Sequence, residues 1–162
     1  MWKFPNRNLL VRGRPYVEYS SLRFNADAGK RWLHKYMKKI QIEGTPIPKG
    51  HYSQGIVHNG LVYISGQLAM DLTTGEVSKG DIGEQAEAAL KNVEKVLHAA
   101  GSDLQSVVQM TIYISDIEDW GKVNEVYARV MGEHRPARAI VPVKDLHFGL
   151  GIEIQAIAAV KE

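Results

Sequence analysis

Two charged residues stand where their neighbours ask for burial. Arg138 lies in Pro136-Ala137-Arg138-Ala139-Ile140-Val141, and Glu153 lies in Gly151-Ile152-Glu153-Ile154-Gln155-Ala156-Ile157. A guanidinium in such a setting needs an anion. That anion is either a carboxylate of its own sheet or one brought by a ligand, and Glu153 is either that structural partner or a group that takes a proton from water. Both alternatives are open at this level. Other chemistries are poorly supplied. The six histidines, His34, His51, His58, His98, His134 and His147, contain no pair at the i, i+4 ligand spacing and read as surface or capping residues. Gly149-Leu150-Gly151 lacks the third glycine of a dinucleotide fingerprint and leads into a strand, so it reads as a turn. No Ser-centred elbow marks a covalent hydrolase. Cys is absent, which excludes disulfides, thiolate metal sites, iron–sulfur clusters and a cysteine nucleophile.

The elements that must position these two residues follow from hydrophobic periods. Residues 38–43 alternate with period two, and 53–58 and 61–65 flank Asn59-Gly60, which predicts a type I′ hairpin because both residues tolerate positive φ. Thr73-Thr74-Gly75 supplies a further turn. Asp81 with Glu84 three residues on forms a capping box. A stripe at Ile82, Ala86, Ala89/Leu90, Val93, Val96/Leu97 and Ala100 then predicts a helix that ends at Gly101. Residues 106–115 alternate as a strand with Val108, Met110, Ile112 and Ile114 expected on one face. Asp116 is expected to cap a second helix, with a stripe at Trp120, Val123, Val126/Tyr127 and Val130 and Gly132 at its end. Residues 137–144 and 151–160 complete the set as strands carrying Arg138 and Glu153. The order β-β-β-α-β-α-β-β predicts an α+β layer of six strands and two helices. Two helices cover one face only. Val62, Ile64, Tyr113, Val141, Ile154 and Ile157 cannot all point at them along with their alternating neighbours, so the second face is expected to be buried against copies of the chain, in a homo-oligomer.

The chain's 162 residues are 44% hydrophobic and 23% charged, a composition that supports a core without covalent staples. No apolar run approaches the roughly 20 residues needed to span a bilayer. The formal net charge of +2 conceals an asymmetry: residues 1–50 hold 11 Lys/Arg against three acidic residues, +8, whereas the remainder stands at −6. Residues 1–35 show no sustained period and are read as a basic arm, with 36–162 as the folded domain. An Arg-bearing N-terminus suits an organellar leader, while Glu18 and Asp27 and the lack of an amphipathic period argue for a solvated extension.

Five strings occur in order along the chain: Tyr52-Ser53-Gln54-Gly55, Ile64-Ser65-Gly66-Gln67, Val123-Asn124-Glu125-Val126-Tyr127, Arg135-Pro136-Ala137-Arg138 and Ile152-Glu153-Ile154-Gln155-Ala156-Ile157-Ala158. Together they resemble the RidA/YjgF family of enamine/imine deaminases, from about Lys38 to the C-terminus. The resemblance implies a chorismate-mutase-like mixed sheet, a homotrimer with sheets packed inward and pockets between subunits. It implies that Arg138 binds a substrate carboxylate, that Glu153 positions the attacking water, that Tyr52, Ser65, Gly66 and Asn124 line the pocket, and that the backbone of Ile140 lies near the reacting carbon. Departures from the family's usual residues at His51, Pro142, Gln155, His147 and Phe148 bear on which substrate side chain is preferred.

The activity implied is cofactor-independent hydrolysis of 2-imino and 2-enamine acids, of the 2-aminoacrylate and 2-iminobutyrate type, to 2-keto acids and ammonia. This is metabolite damage control, expected in the cytoplasm or, with residues 1–35 as a leader, in an organelle. Two other classes compete. One is a non-catalytic, regulatory trimer that binds a small carboxylate; the other is an RNA-directed, endoribonuclease-like activity. The −6 net charge of residues 51–162 disfavours nucleic acid, because phosphate binding draws on positive charge.

Overall fold

Period-two segments become strands and period-3.6 segments become helices in the expected order. The structure, a computed structural model, describes residues 37–161, and the expected N-terminal arm lies outside them. The strands are β1 (Lys38–Ile40), β2 (Gly55–His58), β3 (Leu61–Leu68), β4 (Val107–Ile114), β5 (Ala137–Pro142) and β6 (Ile152–Ala159); the helices are α1 (Ile82–Ala99) and α2 (Trp120–Met131). They form one mixed sheet in the order β1-β2-β3-β6-β4-β5, with β4 and β5 parallel and every other pair antiparallel. The α+β architecture is therefore the expected one. β5, which carries Arg138, is an edge strand; β6, which carries Glu153, is central.

Local chemistry accounts for the boundaries. Asn59 and Gly60 both take positive φ, 50° and 75°, as a I′ turn between β2 and β3 requires. The Glu84 amide donates to the Asp81 carboxylate at 2.9 Å and the Asp81 amide to Glu84 at 3.0 Å, so the capping box starts α1. Asp116 acts one turn earlier than expected. Its carboxylate accepts from the Glu118 amide at 3.0 Å and caps a short 3₁₀ turn, Ile117–Asp119, that leads into α2.

One apolar core lies between the sheet and the two helices, built from Leu90, Val93, Val96 and Leu97 of α1, Val123, Val126, Tyr127 and Met131 of α2, and the inward residues of β3, β4 and β6. Two β-bulges interrupt the strict alternation. In β4 the register shifts between Val107 and Gln109, so Val107 enters the core and Val108, expected there, is 52% exposed. In β3 it shifts between Ile64 and Gln67, at Ser65-Gly66. The six apolar residues assigned to crowding divide evenly. Val62, Ile64 and Ile154 are buried toward the helices, whereas Tyr113, Val141 and Ile157 stay half-buried on the other face. That open face is accordingly mixed rather than apolar, with Tyr63, Thr111 and Gln155 beside them.

Candidate functional site

Arg138 occupies the helix side of the sheet's β5 edge. Its partner in register is Met110, fully buried in the core, so the arginine side chain starts toward α2. There the guanidinium carbon lies 4.5 Å from the Tyr127 ring centroid and 6.0 Å from that of Trp120. Burial raises the pKa of the Tyr127 phenol above its ordinary value, and the Arg138 charge draws it part of the way back. Arg138 opens into a cleft of about 570 Å³ that Asn124, Tyr127, Arg135 and Pro136 also line and to which no acidic side chain among the described residues contributes. Ile140 follows two residues on, in register with Ile112, on a strand whose outer edge has no sheet neighbour among the described residues.

Glu153 belongs to a second cluster. Its strand pairs with β3 just beyond the Ser65-Gly66 bulge, and its carboxylate lies so close to Gly66 that an added Cβ would sit 1.7 Å from Oε1. Only glycine leaves that space to the glutamate. The Ser65 hydroxyl donates to the Ser53 carbonyl at 2.7 Å and the Ser65 amide to the Gln54 carbonyl at 3.1 Å, tying the bulge to the 52–54 segment. Gln67 reaches back to the Ser65 carbonyl at 2.9 Å. Tyr52, next to Ser53, is 57% exposed.

The two clusters face opposite ways. Glu153 is in register with Tyr113 on the open face, Arg138 with Met110 on the covered face, and β4 runs between them. The alternative that Glu153 is the arginine's structural partner therefore fails within one chain. Among the described residues neither Arg138 nor Glu153 forms an ion pair. Within one chain Ser65, Gly66 and Glu153 come together, with Tyr52 near them along the chain, and Asn124 and Arg138 come together with Ile140 near; the two groups do not meet.

Of the departing residues, His51 and Pro142 are exposed, and Gln155 accepts from the Tyr113 hydroxyl at 3.0 Å on the open face. Phe148 holds positive φ, 62°, in a short turn where its ring lies 3.8 Å from that of His147. Sequence reasoning passed over Trp120 and Tyr127 as site residues, because their spacing of seven reads as an ordinary core stripe. Gln67 stands in the string Ile64-Ser65-Gly66-Gln67, but its bond to the Ser65 carbonyl depends on the bulge.

Comparison with known proteins agrees with this arrangement of strings and strands. Residues 43–160 match the family model described as Endoribonuclease L-PSP. The 2-iminobutanoate/2-iminopropanoate deaminase of Rattus norvegicus is 41% identical over 121 residues, 75% of this chain and 88% of that protein. The Schizosaccharomyces pombe protein named "Protein mmf1, mitochondrial" is 35% identical over 154 residues, 93% of this chain and 94% of that protein. Among solved structures, E. coli TdcF with bound serine superposes with a TM-score of 0.71 at 35% identity, covering 76% of this chain and 99% of that one. A family match across most of the described chain, joined to relatives of this identity and coverage, shows that the chain belongs to the YjgF/RidA family, whose model carries the Endoribonuclease L-PSP description.

Proposed function

We propose that the protein hydrolyses reactive 2-imino and 2-enamine acids, of the 2-aminoacrylate and 2-iminobutyrate type, to 2-keto acids and ammonia. One observation carries this reading: Arg138, a guanidinium inside a cleft to which no acidic side chain among the described residues contributes. Its planar fork matches a carboxylate through two parallel charge-assisted bonds. The names of relatives about 40% identical support the same substrate class.

The chemistry follows from the substrate. An imine carbon is already electrophilic, so orientation and one proton transfer suffice, and the reaction asks for no cofactor. With the carboxylate on Arg138 and the reacting carbon near the backbone of Ile140, Glu153 takes a proton from water as the oxygen bonds to the imine carbon. Glu153 returns that proton to the nitrogen, the hydroxyl proton follows it as the carbonyl forms, and the carbon–nitrogen bond breaks to release ammonia and a 2-keto acid. Ser65, Gly66 and Tyr52 frame Glu153; Asn124 frames Arg138.

Because Arg138 and Glu153 face opposite ways, we place a complete site between two copies, one giving the Arg138 half and the next the Glu153 half. A homotrimer of about 54 kDa, three times 18.1 kDa, closes such a heterologous contact into a ring and covers the open face. The expected compartment is the cytoplasm, or the mitochondrion where residues 1–35 serve as a leader, as the name of the S. pombe relative suggests. Among the described residues no helix is long and apolar enough to cross a membrane.

The experiment generates 2-aminoacrylate or 2-iminobutyrate in situ and follows keto-acid release. Glu153→Gln should lower turnover about 10² to 10⁴-fold while 2-ketobutyrate binding persists. Arg138→Ala should lose about 2 to 4 kcal/mol of transition-state stabilisation through substrate capture. Refolding the two inactive variants together should restore about a quarter of the parent rate, since random mixing pairs an intact arginine half with an intact glutamate half in about one site of four. No acceleration with any imine would favour a carboxylate-binding trimer without turnover, and no recovery on mixing would remove the shared site.

A further inference from the structure

Trp120 and Tyr127 are seven residues apart, close to two helical turns, so both emerge on one stripe of α2. The Arg138 guanidinium lies over both rings, at 4.5 Å from Tyr127 and 6.0 Å from Trp120. Tyr127 is 7% exposed, and its hydroxyl is buried without a hydrogen-bond partner among the described residues. An unpaired buried hydroxyl destabilises a fold, so the oxygen does not explain why a tyrosine stands there. The ring does. An arginine side chain has many rotamers, and a guanidinium laid on an aromatic face loses most of that freedom before any ligand arrives.

We infer that Trp120 and Tyr127 form an aromatic platform that positions Arg138, holding the flat face of the guanidinium so that its N–H edge is turned to the cleft for a carboxylate. They are positioning residues, acting through Arg138 rather than on the substrate. The inference rests on the reading above only in that Arg138 grips a carboxylate; it concerns what makes that grip ready. Tyr127, the nearer and buried ring, contributes more than Trp120, which is 42% exposed.

Calorimetric titration with 2-ketobutyrate, which is not turned over, tests this directly. Tyr127→Leu should weaken binding about 3- to 30-fold, the range of a cation–π contact from exposed to desolvated settings, and Trp120→Leu by about threefold or less. Tyr127→Phe keeps the ring and should bind within about twofold of the parent. In imine hydrolysis the Leu variants should raise KM and leave kcat near the parent value. Adding Tyr127→Leu to Arg138→Ala should cost no further affinity, because the platform acts through the arginine.

A Phe variant as weak as the Leu variant would assign the effect to the hydroxyl and overturn the proposal. So would parent affinity in Tyr127→Leu, or full additivity with Arg138→Ala. Should Tyr127→Leu fail to fold, Trp120→Leu carries the same cycle from an exposed position. A parent that binds 2-ketobutyrate yet hydrolyses no imine sinks the deaminase reading and leaves the platform standing. A parent that binds no small carboxylate sinks the platform.

Discussion

The sheet's two faces solve different problems with the same strands. Toward the helices, Val62, Ile64, Met110, Ile112, Ile114, Ile152 and Ile154 are buried almost completely, and the pattern is apolar until Arg138 at the β5 edge. On the other side Tyr63, Thr111, Tyr113, Gln155 and Ile157 alternate polar and apolar groups around a shallow depression of about 240 Å³. The covered face is finished within one chain. The open face, and Glu153 upon it, is the one that the proposed assembly would cover. Stability is therefore expected to reside on the first face, with assembly and half of the chemistry on the second.

A matched pair of substitutions on one strand would break or sharpen that contrast. Ile154 and Ile157 both lie on β6, one on each face. Ile154→Ala removes fully buried methyl groups and should destabilise the protein by about 2 to 5 kcal/mol at any protein concentration. Ile157→Ala should leave the isolated subunit within about 0.5 kcal/mol and instead weaken association. Urea unfolding at several concentrations, with sedimentation alongside, separates the two; equal losses independent of concentration would mean that the faces do not differ in this way.

Next in size is Gly66→Ala. The new Cβ would meet Glu153 Oε1 at 1.7 Å and Cδ at 2.7 Å, both at the far end of a flexible side chain. The carboxylate must move while the backbone stays. The fold should lose less than about 1 kcal/mol, whereas a displacement of an ångström or more at a reacting group lowers turnover about 10²-fold. Parent turnover in this variant would show that the position of Glu153 does not matter, and the open face would lose its assigned chemistry.

How much of this was legible in the sequence follows the same division. The capping box at Asp81 and Glu84, the Asn59-Gly60 turn and the order of elements could be read directly, because each depends on residues within one or two turns of one another. Arg138 and Glu153 were legible as misfits in apolar strands. Their opposition across the sheet was not, since it depends on the registers of β4 with β5 and β6, which are fixed by distant pairings. The bulge at Val107–Gln109 was equally hidden. One extra residue there exchanges Val108 for Val107 in the core without disturbing the alternation that follows. Trp120 and Tyr127 were visible as a stripe, but an aromatic stripe facing a core and one facing a guanidinium have the same spacing.

The smallest effect concerns a single hydrogen bond on the open face. The Tyr113 hydroxyl donates to Gln155 Oε1 at 3.0 Å, and both residues retain exposure in the single chain. Water can replace either partner there, so in dissociated subunits Tyr113→Phe should change stability by no more than a few tenths of a kcal/mol. In the proposed oligomer the same bond would be removed from solvent. Deleting the donor would then leave the Gln155 carbonyl oxygen without that partner in a desolvated interface, at a cost of about 1 kcal/mol. Urea midpoints of parent and Tyr113→Phe should therefore coincide at protein concentrations below the dissociation constant of the assembly and separate above it. Coincidence at both concentrations would mean that water still reaches this part of the sheet in the oligomer, and the surface that covers Glu153 would have to lie nearer the Ser65-Gly66 bulge.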